Sequence, residues 1–292
     1  MLSELLICGS MFLANNASIS SGRYTPVVCC RSPGPGSHVL PMVRRSIADT
    51  HAISSSQDMT LAIPTMPMNV LINGSPTAIG RAVVEHLADS DHSLRLTSMA
   101  PYDEQNVIVC SLEHDEATDD LVEGIDAIVN VGYQDEVEMP VSFHLDYYTR
   151  RTYNLLWAAS NAGVKRVVNL STLRLMEEYE ENLVVTELWR SKPLANDINL
   201  LCAHLVEIIC KEYARDRKLE VVNLRLGWPL VLGGKGDIGD DVGTAALCSE
   251  DLGRAVLAAL EADVEPWQDI HIQSLVANQR YTTARAAATL GF

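Results

Sequence analysis

The feature that most constrains the fold of this chain is a short apolar run followed by a glycine turn and an amphipathic segment. Val70 to Ile72 are three consecutive apolar residues, which is typical of a strand buried on both faces. Beyond Gly74, apolar residues recur at helical spacing as far as Leu87, and Leu94 to Leu96 form a second strand-like run. This order predicts a strand, a turn, a helix and a strand. Backbone N–H groups at the start of such a helix are unpaired and can bind an anion.

The remainder of the chain continues this alternation of strands and helices. The further predicted strands are Val107–Cys110, Asp126–Tyr133, Val164–Leu170, Val221–Arg225 and Ile270–Ser274. The further predicted helices are Asp119–Glu123, Phe143–Ala162, Asn196–Arg217, Ser249–Leu260 and Tyr281–Phe292. Alternation with right-handed crossovers predicts an α/β fold with a doubly wound parallel sheet of the Rossmann-like type. Its ligand crevice is expected at the carboxyl ends of the first and fourth strands.

The first 68 residues differ from the rest in composition. Residues 1–68 are rich in Ser, Pro and Met and lack sustained apolar periodicity. We predict that this segment is a poorly ordered leader, or that it results from translation upstream of a start at Met66 or Met68. The apolar stretch from Leu5 to Ala14 is similar to the core of a signal peptide, but Glu4 precedes it and no basic residue does. A single domain is therefore predicted over residues 69–292.

The charge of the chain restricts its partners. With 38 acidic residues against 22 Lys and Arg, the formal net charge is −16 at pH 7. This acidity argues against nucleic acid or an anionic membrane, because phosphate binding needs clustered Lys and Arg. No apolar run approaches the ~18 residues of a membrane-spanning helix.

The cysteines and the acidic clusters add two further expectations. The seven cysteines include no Cys-x-x-Cys pair, which favours core thiols in a cytoplasmic protein over a disulfide framework. The one compact group with metal-ligand chemistry, Glu113 to Glu116, is interpreted as a solvated loop. No metal site is therefore predicted.

The spacing Gly74-x-x-Thr77-x-x-Gly80 resembles the Gly-x-x-Gly-x-x-Gly turn of the NAD-dependent epimerase/dehydratase family, the extended short-chain dehydrogenases/reductases. In such turns the first glycine makes the bend, the second lets the backbone approach the pyrophosphate, and the third lets the helix pack on the strand. Here Thr77 places a side chain at the position of close approach. The resemblance implies that the turn holds NAD or NADP, with affinity that is weakened or lost. The turn residues assigned to the cofactor are Gly74, Ser75, Thr77, Ala78, Ile79 and Gly80.

Later segments resemble the same family as far as the end of the sequence. Ser98 follows the second strand, where an acidic residue marks NAD and a basic one NADP, so the choice of dinucleotide stays open. Ser111 stands in place of the family's Asp near the adenine. Asn130 and Gly132 end the fourth strand, which lies beside the cofactor in the family, and Tyr133 replaces its usual Ala. The resemblance also implies a small C-terminal substrate lobe.

The resemblance also assigns the positions of the family's catalytic groups. Thr172 ends the fifth strand, where the family's Ser or Thr bonds a substrate carbonyl or hydroxyl. Counting back from Glu207 in the next helix puts the catalytic Tyr at Asn199 and the catalytic Lys at Ala203. Asn cannot exchange a proton near neutral pH, and Ala supplies no charge. A degenerate Tyr-x-x-x-Lys site is therefore implied.

Three functions stay open at this point. The leading hypothesis is an NAD(P)-binding protein with a degenerate site, acting as a binding or regulatory protein or as an enzyme with another acid/base. The nearest substitute phenols are Tyr133, Tyr147 and Tyr148. The alternative is an active NAD(P)-dependent oxidoreductase or epimerase on a sugar-like substrate, such as a uronate or a nucleotide sugar. The third is a fold without any ligand.

Quaternary structure is also implied by the resemblance. Family members often form dimers through two long helices. In this chain the corresponding segments are 143–162 and 196–217, which implies a homodimer through these helices.

Overall fold

A computed structural model describes residues 66–99, 106–134, 140–233 and 243–292. All of them belong to one compact unit, Leu61–Phe292. The predicted leader, apart from residues 66–68, lies outside the described residues, so its nature stays a prediction.

The described part of the chain alternates strands and helices from its first element to its last. The strands are β1 (Asn69–Asn73), β2 (Ser93–Ser98), β3 (Val107–Val109), β4 (Ala127–Val131), β5 (Arg166–Thr172), β6 (Glu220–Leu226), β7 (Leu230–Val231), β8 (Leu247–Cys248) and β9 (Trp267–Ile272). The α-helices are α1 (Ala78–Leu87), α2 (Glu116–Val122), α3 (Val141–Leu145), α4 (Arg151–Ala162), α5 (Ile198–Arg215), α6 (Ser249–Glu261) and α7 (Ala284–Leu290). Every strand predicted from the pattern is present.

Seven parallel strands form the central sheet in the order β3-β2-β1-β4-β5-β6-β9. The chain runs outward from β1 to β3 and then returns to place β4 on the other side of β1. The strand order therefore reverses between β1 and β4, which is where doubly wound sheets open a ligand crevice. The predicted fold class is confirmed. The two short strands β7 and β8 pair separately.

Helices cover both faces of the sheet because side chains alternate along each strand. Val70 and Ile72 of β1 pack in one buried cluster with residues of α1 and α6. Leu71, which points the other way, packs in a second cluster with residues of α4 and α5. The apolar run of β1 is thus buried on both faces, as its composition predicts.

Several predicted helices differ from the observed ones at their ends or within their length. The helix α2 begins at Glu116 rather than at Asp119, and α7 spans Ala284–Leu290 rather than 281–292. The segment predicted as one helix from Phe143 begins at Val141 and contains a turn of π-helix, Asp146–Arg150, between α3 and α4. Its end is as predicted, with Gly163 in the left-handed conformation at φ +84°. No helix of the described residues is long and apolar enough to cross a membrane.

The helix α5 is shorter than predicted at both ends: it ends at Arg215 rather than at 217, and an aspartate caps its start. The Oδ1 atom of Asp197 accepts the N–H groups of Asn199 and Leu200 at 3.0 and 3.1 Å, so the helix begins at Ile198 rather than at 196.

A row of hydrogen-bonded amides crosses the sheet on the face covered by α5. Asn73, Asn130, Asn169 and Asn223 stand in register on β1, β4, β5 and β6. In each pair the Nδ2 atom donates to the next Oδ1 atom at 2.8–2.9 Å. The last Nδ2 donates to Asp269 Oδ1 on β9 at 2.8 Å. A carboxylate only accepts hydrogen bonds. The Asp269 carboxylate therefore orients the NH₂ groups of these four asparagines, called the asparagine row, toward β9.

Candidate functional site

Two positions in the turn between β1 and α1 accept only glycine. Gly74 has a φ of +83°, and a Cβ added to it would lie 3.0 Å from Cβ of Val131. A Cβ added to Gly80 would lie 2.2 Å from the carbonyl oxygen of Gly74. The first glycine is therefore required by its backbone conformation, and the last by the contact between helix and strand.

Thr77, at the middle of the same turn, is the N-cap of α1. Its Oγ1 atom accepts the N–H of Gly80 at 2.8 Å, which satisfies one unpaired amide of the first helical turn. The N–H groups of Ala78 and Ile79 belong to the same first turn, and both residues line the pocket at the crevice. The helix start therefore presents two backbone donors and the positive end of the helix dipole.

A cation lies against this turn. Arg81 directly follows Gly80, and its Nη1 atom donates to the carbonyl oxygen of Pro76 at 2.7 Å. Its backbone N–H donates to the carbonyl oxygen of Thr77 at 2.8 Å. Backbone donors, a helix dipole and a guanidinium together suit a phosphate.

A pocket of about 160 Å³ opens at the carboxyl ends of the strands. Its walls come from the start of α1, the segment after β4, the end of β5, and the segment from the end of β6 to β7. The lining residues are Ala78, Ile79, Tyr133, Gln134, Ser171, Thr172, Leu226, Gly227, Trp228 and Leu230. The structure thus brings together three predicted site residues, Ala78, Ile79 and Thr172, at the crevice.

Tyr133 is among the residues that line the pocket. Its side chain is buried, with 4% exposed, and packs with Leu175, Leu200 and Ala203. The Nη1 atom of Arg174 donates to its hydroxyl oxygen at 2.7 Å. The phenol of the residue that replaces the family's small Ala is therefore paired with a guanidinium.

The two hydroxyls that end β5 have different roles. Thr172 lines the pocket, and its Oγ1 atom accepts the backbone N–H of Arg174 at 3.2 Å. Its own hydroxyl proton is not used in that bond. Ser171 donates to Glu207 Oε1 at 2.7 Å. Thr172 can therefore still donate to a ligand oxygen, whereas the Ser171 proton is directed to a buried carboxylate.

Glu207 is held in its ionised form by its neighbours. Arg225 binds it in a bidentate manner, with Nε and Nη2 at 2.9 and 2.8 Å from the two carboxylate oxygens, and Asn223 donates at 3.0 Å. Burial alone would raise the pKa of the carboxyl, but Arg225, Asn223 and Ser171 outweigh it, and the pKa lies below its ordinary value. A carboxylate with this many donors is a poor proton acceptor.

The two positions assigned to the family's catalytic pair lie on α5 and do not line the pocket. Ala203 is fully buried against Tyr133. The Oδ1 atom of Asn199 is buried and has no hydrogen-bond partner among the described residues. Neither position supplies a group that exchanges protons near neutral pH.

The remaining predicted cofactor residues lie along the same edge of the sheet but outside the pocket. Ser75 donates from Oγ to the carbonyl oxygen of Thr97 at 3.2 Å, and Ser98 is buried at the end of β2. Ser111 is exposed. The side chain of Asn130 is committed to the asparagine row. A Cβ on Gly132 would lie 2.6 Å from the Oδ1 atom of Asn169, so only glycine fits there.

Sequence reasoning missed four residues of the site. Gln134 and Trp228 line the pocket, and the Arg174 guanidinium lies over the Trp228 ring at 5.2 Å. Arg81 and Arg174 had a local signal, since each cation follows a predicted ligand position by one or two residues. Trp228 had no such signal, because its place at the pocket depends on where the chain runs after β6.

The acidic cluster at the start of α2 has structural contacts. Glu113 pairs with Arg150, and Asp115 caps α2 by accepting the N–H of Thr118 at 3.1 Å. Among the described residues no group of three or more His, Cys, Asp or Glu could hold a metal ion.

Comparison with known proteins gives one family and several relatives. The model of the NAD dependent epimerase/dehydratase family matches residues 70–241. A uronate dehydrogenase of Pseudomonas syringae pv. tomato is 34% identical over 122 residues, which are 40% of this chain and 44% of that protein. The chain thus aligns with less than half the length of this relative. An L-arabinose 1-dehydrogenase (NAD(P)(+)) of Haloferax volcanii is 24% identical over 175 residues, 55% of this chain and 67% of that protein.

Solved structures show the same fold. The uronate dehydrogenase of Agrobacterium tumefaciens superposes with a TM-score of 0.66 at 21% identity, covering 77% of this chain and 83% of that one. A mutant of that enzyme complexed with NAD gives the same TM-score and identity over 77% and 84% of the chains.

Proposed function

The chain belongs to the NAD dependent epimerase/dehydratase family, and we propose that it binds a nicotinamide dinucleotide at the carboxyl ends of β1 and β4. The observation that carries this proposal is the glycine turn. An added Cβ at Gly80 would lie 2.2 Å from the Gly74 carbonyl oxygen, and the helix start beside it offers the N–H groups of Ala78 and Ile79 to the pocket. A turn this constrained, with an open helix N-terminus, fits the pyrophosphate of a dinucleotide.

Individual residues have separate roles toward the dinucleotide. Ala78 and Ile79 hold the pyrophosphate through their backbone, and Arg81 adds a positive charge. Gly132 lets β4 pack closely against Asn169, which holds the strand end that leads to Tyr133 at the pocket. When bound, the nicotinamide supplies a carbon that accepts or donates a hydride. Thr77 weakens the complex because its side chain occupies the position of close approach.

The family's usual proton transfer is lost in this chain. Asn199 and Ala203 stand at the positions of the acid/base and of its lysine. Glu207, the carboxylate that accepts the Ser171 hydroxyl, is held ionised by Arg225 and is no substitute. Loss of a positioned acid/base costs roughly 10²–10⁴-fold in rate. Turnover below ~1 s⁻¹ is therefore expected, under the range of ordinary enzymes.

A second candidate function is an active NAD(P)-dependent oxidoreductase or epimerase on a sugar-like substrate, a uronate or a nucleotide sugar. Two observations favour it. Thr172 lines the pocket with a hydroxyl that can bond a substrate oxygen. The relatives found are a uronate dehydrogenase and an L-arabinose 1-dehydrogenase.

Dinucleotide binding is tested by calorimetric titration with NAD, NADH, NADP and NADPH. We expect binding of at least one of them below millimolar concentration. Ala78→Asp places a negative charge in the cradle, where it suits the helix dipole but repels pyrophosphate, so it should abolish binding without unfolding α1. The matched control is Ala88→Asp at the exposed end of the same helix, which should bind as the unmodified protein does. Absence of binding for all four dinucleotides would contradict the proposal.

The two candidate functions are separated by turnover of the unmodified protein. Uronates, nucleotide sugars and simple alcohols are assayed with NAD and NADP by the absorbance of the reduced dinucleotide. Rates below ~1 s⁻¹ support the degenerate site, whereas rates above it favour the active oxidoreductase or epimerase.

A homodimer through α4 and α5 is also part of the proposal. Tyr153 and Trp157 on α4 and Ile208 on α5 are 45%, 41% and 43% exposed. The Tyr153 ring stacks on the Trp157 ring with the centroids 6.4 Å apart. Exposed apolar side chains on two adjacent helices suit a second copy of the same surface.

The dimer is tested by light scattering. The unmodified protein should show twice the mass of the 32.0 kDa chain, and Trp157→Glu should reduce it to one chain because a charge would be buried at the interface. Leu275→Glu, also highly exposed and located in the segment that follows β9, should leave the mass unchanged. A monomeric unmodified protein would refute the dimer.

A cytoplasmic location is supported by the described cysteines. Cys110, Cys202, Cys210 and Cys248 are buried and unpaired, as thiols in a reducing compartment are.

A further inference from the structure

The pocket contains one phenol that stands beside the position of the missing lysine. The Tyr133 ring packs directly against Ala203, and both are buried. A lysine at 203 would need the space that the ring occupies. The phenol and the small residue therefore form a matched pair, and Tyr133 lines the same pocket as Thr172.

The phenol has a cationic partner at hydrogen-bonding distance. Arg174 donates from Nη1 to the Tyr133 hydroxyl oxygen at 2.7 Å. The guanidinium is itself anchored, with Nε 3.1 Å from Glu177 and Nη2 3.7 Å from Asp197. Arginine remains charged at all relevant pH values and only donates hydrogen bonds. Such a donor stabilises a phenolate more than a neutral phenol.

The two other candidate phenols lack this arrangement. Tyr148 is buried with its hydroxyl unpartnered among the described residues, and burial raises its pKa above the ordinary value. Burial likewise raises the pKa of Tyr147. Neither residue lines the pocket. Among the three tyrosines that could replace the missing catalytic phenol, Tyr133 is therefore the one that lines the pocket and has a cationic partner.

We propose that Tyr133 is the catalytic acid/base of this site, with Arg174 as the cation that stabilises its phenolate and Thr172 as the hydroxyl that binds the substrate oxygen. In the family pattern the acid/base tyrosine and its lysine both lie on α5. In this proposal the tyrosine follows β4 and the cation follows β5. This inference rests on the proposed dinucleotide binding, and it assigns the slow residual turnover to a named group.

The reaction class is the oxidation of a secondary or hemiacetal alcohol to a carbonyl, and its reverse. Oxidised nicotinamide is the two-electron acceptor. The hydroxyl proton of the alcohol passes to the Tyr133 phenolate, and the carbinol C–H bond breaks as the carbon–oxygen double bond forms. Tyr133 then releases its proton to solvent.

The first test needs no ligand. Phenolate absorbance is followed against pH for the unmodified protein, Tyr133→Phe and Tyr148→Phe, and the difference curves isolate each tyrosine. We expect Tyr133 to ionise at lower pH than Tyr148, and Arg174→Gln to move the Tyr133 transition upward while Arg174→Lys restores it in part. If Tyr133 ionises no earlier than Tyr148, the proposal is wrong.

The second test measures binding and turnover on the same variants, with NAD as dinucleotide and D-glucuronate, D-galacturonate and L-arabinose as substrates. Tyr133→Phe should lose about 10²-fold or more in kcat at unchanged NAD affinity, and Tyr148→Phe should keep the unmodified rate. Equal rates for Tyr133→Phe and the unmodified protein, or no turnover while NAD is bound, would overturn this inference alone. No NAD binding by the unmodified protein would instead refute the proposed function.

Discussion

At the scale of single residues, we expect the Thr77 side chain to limit how closely a ligand approaches the glycine turn. Thr77 is useful to the fold, because its Oγ1 atom caps α1 at Gly80. The same side chain stands where a dinucleotide-binding turn has a glycine. Stability of the helix start and access to the backbone therefore compete at this position.

Replacing Thr77 should change dinucleotide affinity and helix stability separately. Thr77→Gly opens the backbone, and we expect dinucleotide affinity to rise about tenfold, equivalent to ~1.4 kcal/mol. Glycine is itself an acceptable N-cap, so helix stability should fall by only a few tenths of a kcal/mol. Thr77→Val is the matched control: it keeps the bulk, loses about 1 kcal/mol of capping and should not bind more tightly. Calorimetry and urea unfolding measure the two effects, and equal affinities for the Gly and Val variants would argue against steric restriction.

At the scale of secondary-structure elements, the asparagine row locks the register of five strands. Each amide donates to the next one across the sheet, and the chain of bonds ends on the Asp269 carboxylate. Hydrogen bonds in such a buried network strengthen one another, and each member is costly to remove. Asn130 and Asn169 stand two residues before Gly132 and Ser171, so the row holds the two strands just ahead of the pocket.

Removing the Asn169 amide from the middle of the row should lower the free energy of unfolding much more than removing an exposed amide outside the row. Asn169→Ala leaves Asn130 Nδ2 and Asn223 Oδ1 without partners, at about 1–3 kcal/mol each. The exposed Asn69, whose Nδ2 donates to Gly124 O at 3.0 Å, provides the control, and Asn69→Ala should cost no more than about 1 kcal/mol. Urea unfolding gives both free energies. A similar loss for the two variants would mean that the row does not act as a buried network.

At the scale of the whole molecule, stability should depend on pH through a buried histidine. His271 on β9 is fully buried, and burial first, then the charge of Arg225, lowers its pKa to about 3, against a partial opposing effect of Glu207. In the unfolded chain its pKa is near ~6.5. Below that value the unfolded state binds a proton that the folded state does not, so the free energy of unfolding falls as pH falls from about 6.5 toward 3.

Between the two pKa values, His271 should change the free energy of unfolding by about 1.4 kcal/mol per pH unit. His271→Gln cannot titrate, so the variant should lose less stability than the unmodified protein between pH 7.5 and 5. His114→Gln, at an exposed position, should keep the unmodified slope. Urea unfolding at four pH values measures this, and parallel curves for His271→Gln and the unmodified protein would disprove the role of His271. His144 contributes with the same sign, since burial lowers its pKa also.

What the sequence by itself determined was the succession of elements and the place of the crevice. Val70 to Ile72 specify a buried strand by composition, Gly74 and Gly80 specify the turn by sterics, and alternation of strands and helices specifies the parallel sheet. These signals are local, because they depend on side-chain period and on the backbone conformations that each residue type allows. The assignment of the family's catalytic positions to Asn199 and Ala203 rests on the register that Glu207 sets along the helix, and it stays a prediction.

Only the tertiary structure decided which residues meet. Asn73, Asn130, Asn169 and Asn223 are separated by 39–57 residues along the chain, and their alignment depends on strand register, which no local pattern records. Tyr133 and Arg174 are 41 residues apart, and their hydrogen bond exists because β4 and β5 are neighbours whose carboxyl ends share one edge. The packing of Tyr133 on Ala203 likewise joins a strand end to a helix. Contacts of this kind follow from the packing of elements that are distant in sequence, and the chemistry of the pocket follows from them.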